Sequence, residues 1–180
     1  RACSCLQESL ALVDEASDRR LQFGVRLNLV VSLLHLGRTA EAADLIPQVR
    51  SLAIERGETL DLTRVLWLEG RLLAAQGSRG IARAMFAQVR GELLSQELSC
   101  DAALVALEEA AFDLEDGNFR QVQEATRTLP GLFAAQGIER EALVAIRLFA
   151  EAVERESATA QMARGLAARL LLALRGIRST

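Results

Sequence analysis

The chain predicts an all-α fold: a right-handed superhelical stack of antiparallel helix hairpins, about nine helices in all. Three observations carry this. Gly37, Gly77 and Gly117 stand 40 residues apart, and each lies between two segments of helical apolar spacing. A fixed period of this length marks a repeat architecture. No segment alternates strictly between apolar and polar residues, so no strand is predicted. The composition agrees, since 51% of the chain is apolar but only 4% is aromatic and Tyr is absent. The core must then be built from Leu, Ala and Val, which favours helices in close contact over a sheet sandwich.

The elements follow in order. A leading helix is expected over about 5–17, within a segment 1–20, opened by Ser4 with Gln7 as a capping box. Asp18-Arg19-Arg20 reads as a polar turn. Cutting at the period then gives repeats 21–60, 61–100, 101–140 and 141–180. Each first helix buries one face at spacings of three and four. Leu27, Val30 and Leu34 do so in the first repeat, and Leu104, Leu107, Ala111 and Leu114 in the third. Ala142, Ile146, Phe149 and Val153 continue the rule in the fourth.

Second helices are lined by Ala42, Leu45, Ile46, Val49 and Ala53, then Ala82, Met85, Phe86, Val89 and Leu93, then Phe119, Val122, Leu129 and Phe133. Gly37, Gly77 and Gly117 end first helices, and Gly57 and Gly137 end second helices, in a left-handed conformation that glycine adopts without a Cβ clash. Ser78, Asn118, Asp61 and Asp101 read as helix starters, Asn118 with Gln121 as a capping box. Pro47 and Pro130 fall inside second helices, where each should kink its helix, and Pro130-Gly131 should split one in two.

Composition narrows the function. All 21 basic residues are Arg, and a net charge of −3 supplies no basic field for nucleic acid. No apolar run reaches the length of a membrane span, and no signal-peptide pattern is present. Three cysteines make no disulfide framework. Cys3 and Cys5 form a C-x-C pair without the further ligands zinc needs, and Cys100 reads as a small buried apolar group. A reducing cytoplasm fits, with no metal and no cofactor. The one histidine, His35, has no partner nearby in sequence and suits a helix C-terminus. The acidic pairs Glu108-Glu109 and Glu115-Asp116 read as a solvated helix face, since adjacent helical residues do not face each other. Nothing points to an enzyme. The chain opens at Arg1 in mid-pattern, which suggests a segment of a longer protein.

The order helix, Gly, small-residue helix resembles the tetratricopeptide repeat family. Gly70, Gly77, Ala82 and Phe86 match that family's order of a small residue, a terminal Gly, an Ala and an aromatic. Ala110 and Gly117 match part of it, with Val122 and Thr126 standing for the last two, while Gly37 and Ala42 match in the first repeat, with Val30 in the small position. The period of 40 exceeds the family's usual 34, and the closing proline is absent. In this it is similar to the long-helix form found in bacterial regulators that carry an N-terminal helix-turn-helix module.

The resemblance implies a binding surface on the first helices. In that register Arg64, Trp67 and Arg71 project from the second repeat, with Leu104 and Leu107 one repeat on. This array suits an extended peptide with carboxylates and a hydrophobic anchor. The other reading puts Trp67 in the core, with both arginines lying over neighbouring leucines. At the far end, Leu166, Leu170, Leu174 and Ile177 share one face, and Leu171 and Leu172 fall off it. That excess reads as a self-association surface giving a homodimer, with a membrane-surface helix or a frayed terminus as the other readings. The expected function is a protein- or peptide-binding regulatory or adaptor module, or else a homo-oligomerisation scaffold for an upstream effector.

Overall fold

In a computed structural model, residues 8–10, 18–127, 129–135 and 140–177 are described, some side chains in the later helices excepted. Nine helices follow a short helical stretch at 8–10, and there is no strand among the described residues. They are α1 (Arg19–His35), α2 (Thr39–Arg56), α3 (Thr59–Ala75), α4 (Arg79–Ser95), α5 (Ser99–Glu115), α6 (Phe119–Thr126), α7 (Leu129–Ala135), α8 (Arg140–Glu154) and α9 (Ala160–Ile177). Most of the leading helix, with Cys3, Cys5, Ser4 and Gln7, lies outside the described residues, as does Gly137.

The expected stops are present. Gly37, Gly57, Gly77 and Gly117 have φ of +71°, +69°, +84° and +76°. After α1 the turn closes with Arg38 N–H donating to the Leu33 carbonyl at 2.9 Å and Gly37 N–H to Leu34 at 3.2 Å. This paired return to the last turn satisfies carbonyls that the helix end would otherwise leave open. The same pairs recur after α3, α4, α5 and α8. Two of these turns use glutamate in place of glycine: Glu97 at φ +60° and Glu156 at φ +53°.

Helix starts follow the sequence less closely. Asp18 caps α1, its Oδ1 accepting from the N–H groups of Arg20 (2.9 Å) and Leu21 (3.0 Å). Asn118 occupies the cap position of α6, but its side chain makes no capping hydrogen bond, so the expected capping box is not formed. Asp61 and Asp101 are not starters either. They lie in the first turns of α3 and α5, where a carboxylate meets the positive end of the helix dipole. Pro47 sits within an unbroken α2 and faces solvent. Pro130 sits at the second residue of α7, after the break that separates it from α6. There its missing N–H leaves no intrahelical bond unmade.

The chain divides into two compact units, residues 1–89 and 90–180, with the boundary inside α4. In the first, α1, α2 and α3 pack on one another. Phe23, Leu29, Val30, Leu33, Ile46 and Val49 are among the residues of its core. The second helices carry the period in their burial. Ala42, Ala82 and Val122 are each fully buried, and Val49, Val89 and Leu129 are at most 3% exposed.

In the second unit α5 packs against α6, α7 and α9. Its buried residues, from Cys100 to Leu114, occupy almost every side, as expected of a helix enclosed by others. The fourth hairpin departs from the simple repeat, since α9 packs more extensively on α5 than on its expected partner α8. The contacts run from α5 to α6 and α7, on to α8, on to α9 and back to α5. This unit therefore closes as a ring of helices.

Candidate functional site

At 100° per residue, α3 presents two buried arcs. One holds Asp61, Val65 and Leu68, and the other holds Thr63 and Gly70. Between them runs a half-exposed strip of Leu60, Arg64, Trp67 and Arg71. The structure thus keeps Arg64, Trp67 and Arg71 together on one side of one helix, with Trp67 neither fully buried nor fully exposed.

The strip is held in place by a charged cluster at its N-terminal end. Asp61 is 2% exposed. Its Oδ2 accepts from Arg56 Nε at 2.6 Å and its Oδ1 from Arg64 Nη1 at 3.3 Å. Arg56 also donates to Glu58 Oε1 at 2.6 Å, and its guanidinium lies 5.6 Å from the centre of the Phe23 ring. A buried carboxylate is tolerated only when paired, and here two arginines from successive helices serve it. The hydrogen bond to Asp61, more than the neighbouring Glu58, raises the Arg56 pKa above its ordinary value. The cluster joins α1, α2 and α3 and restrains the Arg64 side chain.

The far arc is set by packing. A Cβ on Gly70 would meet Phe86 Cε1 at 2.7 Å and Cδ1 at 3.0 Å. The bare backbone of α3 therefore receives the buried Phe86 ring of α4, and the sequence order small residue then aromatic is a size match.

The opposite side of α3 carries a contact that sequence reading missed. Arg50 makes a two-pronged ion pair with Glu69, its Nε donating to Oε1 at 2.9 Å while Nη2 pairs with Oε2. This hydrogen bonding raises the Arg50 pKa. In the second unit Arg90 Nε lies 3.3 Å from Glu109 Oε2. The two pairs are related by the 40-residue period, which was the available signal. Glu109, read from sequence as part of a solvated face, is in fact a partner of Arg90.

Leu104 and Leu107 do not line an open surface. Each is 1% exposed, as is Ala111 beside them, and they are part of the second unit's core. They occupy on α5 the positions of Arg64 and Trp67 on α3. The difference is chemical, since an apolar strip on α5 is buried, with α9 packed along that helix, and a polar and aromatic strip on α3 stays partly open.

On α9, Leu166 and Leu170 are buried as the apolar face requires, at 5% and 0%. Leu171 is half-buried, and the side chain of Leu172 lies outside the described residues. His35 ends α1 and Cys100 is a buried free thiol. Among the described residues no group of three or more His, Cys, Asp or Glu could hold a metal ion, and no helix is long and apolar enough to cross a membrane. Comparison of the chain with protein-family models, with curated proteins and with solved structures gives no match.

Proposed function

We propose that this chain is a protein- or peptide-binding regulatory module, of tetratricopeptide-like type, that docks its ligand along the Arg64, Trp67 and Arg71 strip of α3. The observation behind the reading is the position of these side chains: they share one half-exposed strip between two buried arcs, with the Arg64 guanidinium already steadied by Asp61. A pre-positioned guanidinium loses less side-chain entropy when it meets a carboxylate. Trp67 beside it offers the large, rigid contact typical of binding hot spots. The ligand chemistry that fits is an acidic segment with an aliphatic or aromatic anchor. The Gly70–Phe86 contact supports the family resemblance, and with it a role as the sensing part of a longer regulator.

Trp67 is the only tryptophan, so its emission reports docking directly. Peptides selected from a displayed random library should be rich in Asp and Glu next to an apolar residue, and should shift that emission. Changing Arg64→Ala and Arg71→Ala together should weaken them by about tenfold or more, the effect of losing one charge-assisted hydrogen bond, with helicity unchanged. Equal binding by the double variant would refute the strip as the docking site.

A further inference from the structure

The line of residues that stays half-exposed on α3 has a counterpart on α5, and there a helix is seated on it. Leu104, Leu107, Ala111 and Glu115 follow one another along α5 at spacings of three and four. They stand 40 residues after Arg64, Trp67, Arg71 and Ala75, in a helix of the same length, 17 residues, as α3. α9 packs along α5, and its Arg164 pairs with Glu115 at the end of this line. The buried side of α9 mixes small and large residues, with Ala163, Leu166, Ala167 and Leu170 at most 7% exposed. Under this cover Leu104, Leu107 and Ala111 are each 1% exposed.

The chemistry of the α3 strip selects the same kind of occupant with the opposite charge. Arg64 and Arg71 stand seven residues apart, about 10.5 Å along the axis, with Trp67 between them. Arginine and tryptophan side chains donate hydrogen bonds and accept none. A strip of Leu60, Arg64, Trp67 and Arg71 therefore has no acceptor for the backbone N–H groups of an extended segment. A helix satisfies its backbone internally and presents only side chains. On α5 the strip supplies the carboxylate and the seated helix the guanidinium, whereas on α3 the strip supplies the guanidinium groups. α9, with three arginines and no acidic residue, does not match it.

We propose that the ligand of the α3 strip is an amphipathic helix of a partner protein, carrying two carboxylates seven residues apart with a small residue between them. The proposal rests on the docking reading above and adds the ligand's fold and the spacing of its charges. Residues at i and i+7 lie within about 20° of each other around a helix, so both carboxylates fall on one flank and match the step from Arg64 to Arg71. Trp67 is bulkier than Leu107, so the position facing it takes Ala, with a larger apolar residue alongside, the same mixture that α9 presents to α5.

The test titrates three peptides of about four helical turns, all lacking Trp, against the full chain and reads Trp67 emission. The first has Glu at i and i+7, Ala at i+3 and Leu at i+4, and a hydrocarbon staple on its far side that holds the helix. The second replaces the staple with a central Pro on that far side, which breaks the helix and keeps the contact residues. The third keeps the staple but moves one Glu to i+5, on the opposite flank. The first should bind at least about tenfold more tightly than either of the others, the scale of a preorganised ligand or of one lost charge-assisted pair. Arg71→Glu, with helicity unchanged, should lose the first peptide and recover it when one or other of its glutamates is changed to Arg. Equal binding of the stapled and Pro peptides, or library peptides that bind where the stapled one does not, would overturn the helix and leave the strip as a docking site. Equal binding of the third peptide would overturn the charge spacing. Should no acidic peptide of any kind move the emission, the docking reading falls and this proposal with it.

Discussion

Gly70 shows how closely a single residue can be specified. The buried Phe86 ring, 1% exposed, occupies the space a Cβ would need. Gly70→Ala gains about 1 kcal/mol of helix propensity but must push an enclosed ring, at about 1–3 kcal/mol. The net effect should be a loss of up to about 2 kcal/mol in a urea melt. Adding Phe86→Ile, which copies the residue found at Ile46, should recover most of it. The size match was legible in sequence, because Gly and Phe are the extremes of their positions. Asp61 was not. Aspartate before an apolar run reads as a helix cap, and only the structure shows α3 starting earlier, with the carboxylate turned inward to Arg56 and Arg64.

Glu41 allows a titration test. A two-pronged pair with Arg38, both contacts at 2.6 Å, lowers its pKa below the ordinary carboxylate value. The depressed value means the pair favours the folded state above the ordinary carboxylate range and loses that effect as pH falls through the lowered pKa. A carbon NMR titration of Glu41 should give a midpoint below that of an unpaired glutamate, and Arg38→Ala should bring it back up.

Among the elements, turns decide more than helix interiors do. Gly37, Gly57, Gly77, Glu97 and Gly117 fall at 20-residue intervals, all in the left-handed region. The sequence shows this spacing through its glycines but hides the glutamate members, since a charged residue carries no mark of its backbone conformation. A Cβ on Gly77 would meet nothing within 4 Å, so any loss on substitution is conformational. Gly77→Val should cost about 1–2 kcal/mol, and Glu97→Gly should stabilise by about 0.5–1 kcal/mol, once the unfolded-state entropy of glycine is set against the relief. Thermal melts of the two variants moving in the same direction would contradict this account. Pro130 belongs to the same scale. The sequence showed that a helix had to break near it, but not that the break precedes the proline.

For the molecule as a whole, helical content and the 40-residue period were readable because both rest on local spacing. The pairing of α9 with α5 was not. Periodic reading assigns α9 to α8, and a partner 49 positions away along the chain, as Glu115 is from Arg164, leaves no local signature. Leu104 and Leu107 are buried, as their place on the apolar face of α5 required, and only their assignment to the binding surface fails, for the same reason. Their register on α5 was correct, but a helix from elsewhere in the chain encloses them. Arg50–Glu69 and Arg90–Glu109 hold one more consequence. A segment running from Thr59 to Leu98 contains a glutamate that accepts the arginine before it and an arginine that reaches the glutamate after it. Spliced in a second time, it would meet a matching neighbour at both seams. A tandem duplication of this segment would therefore keep the same Arg–Glu pair at each seam.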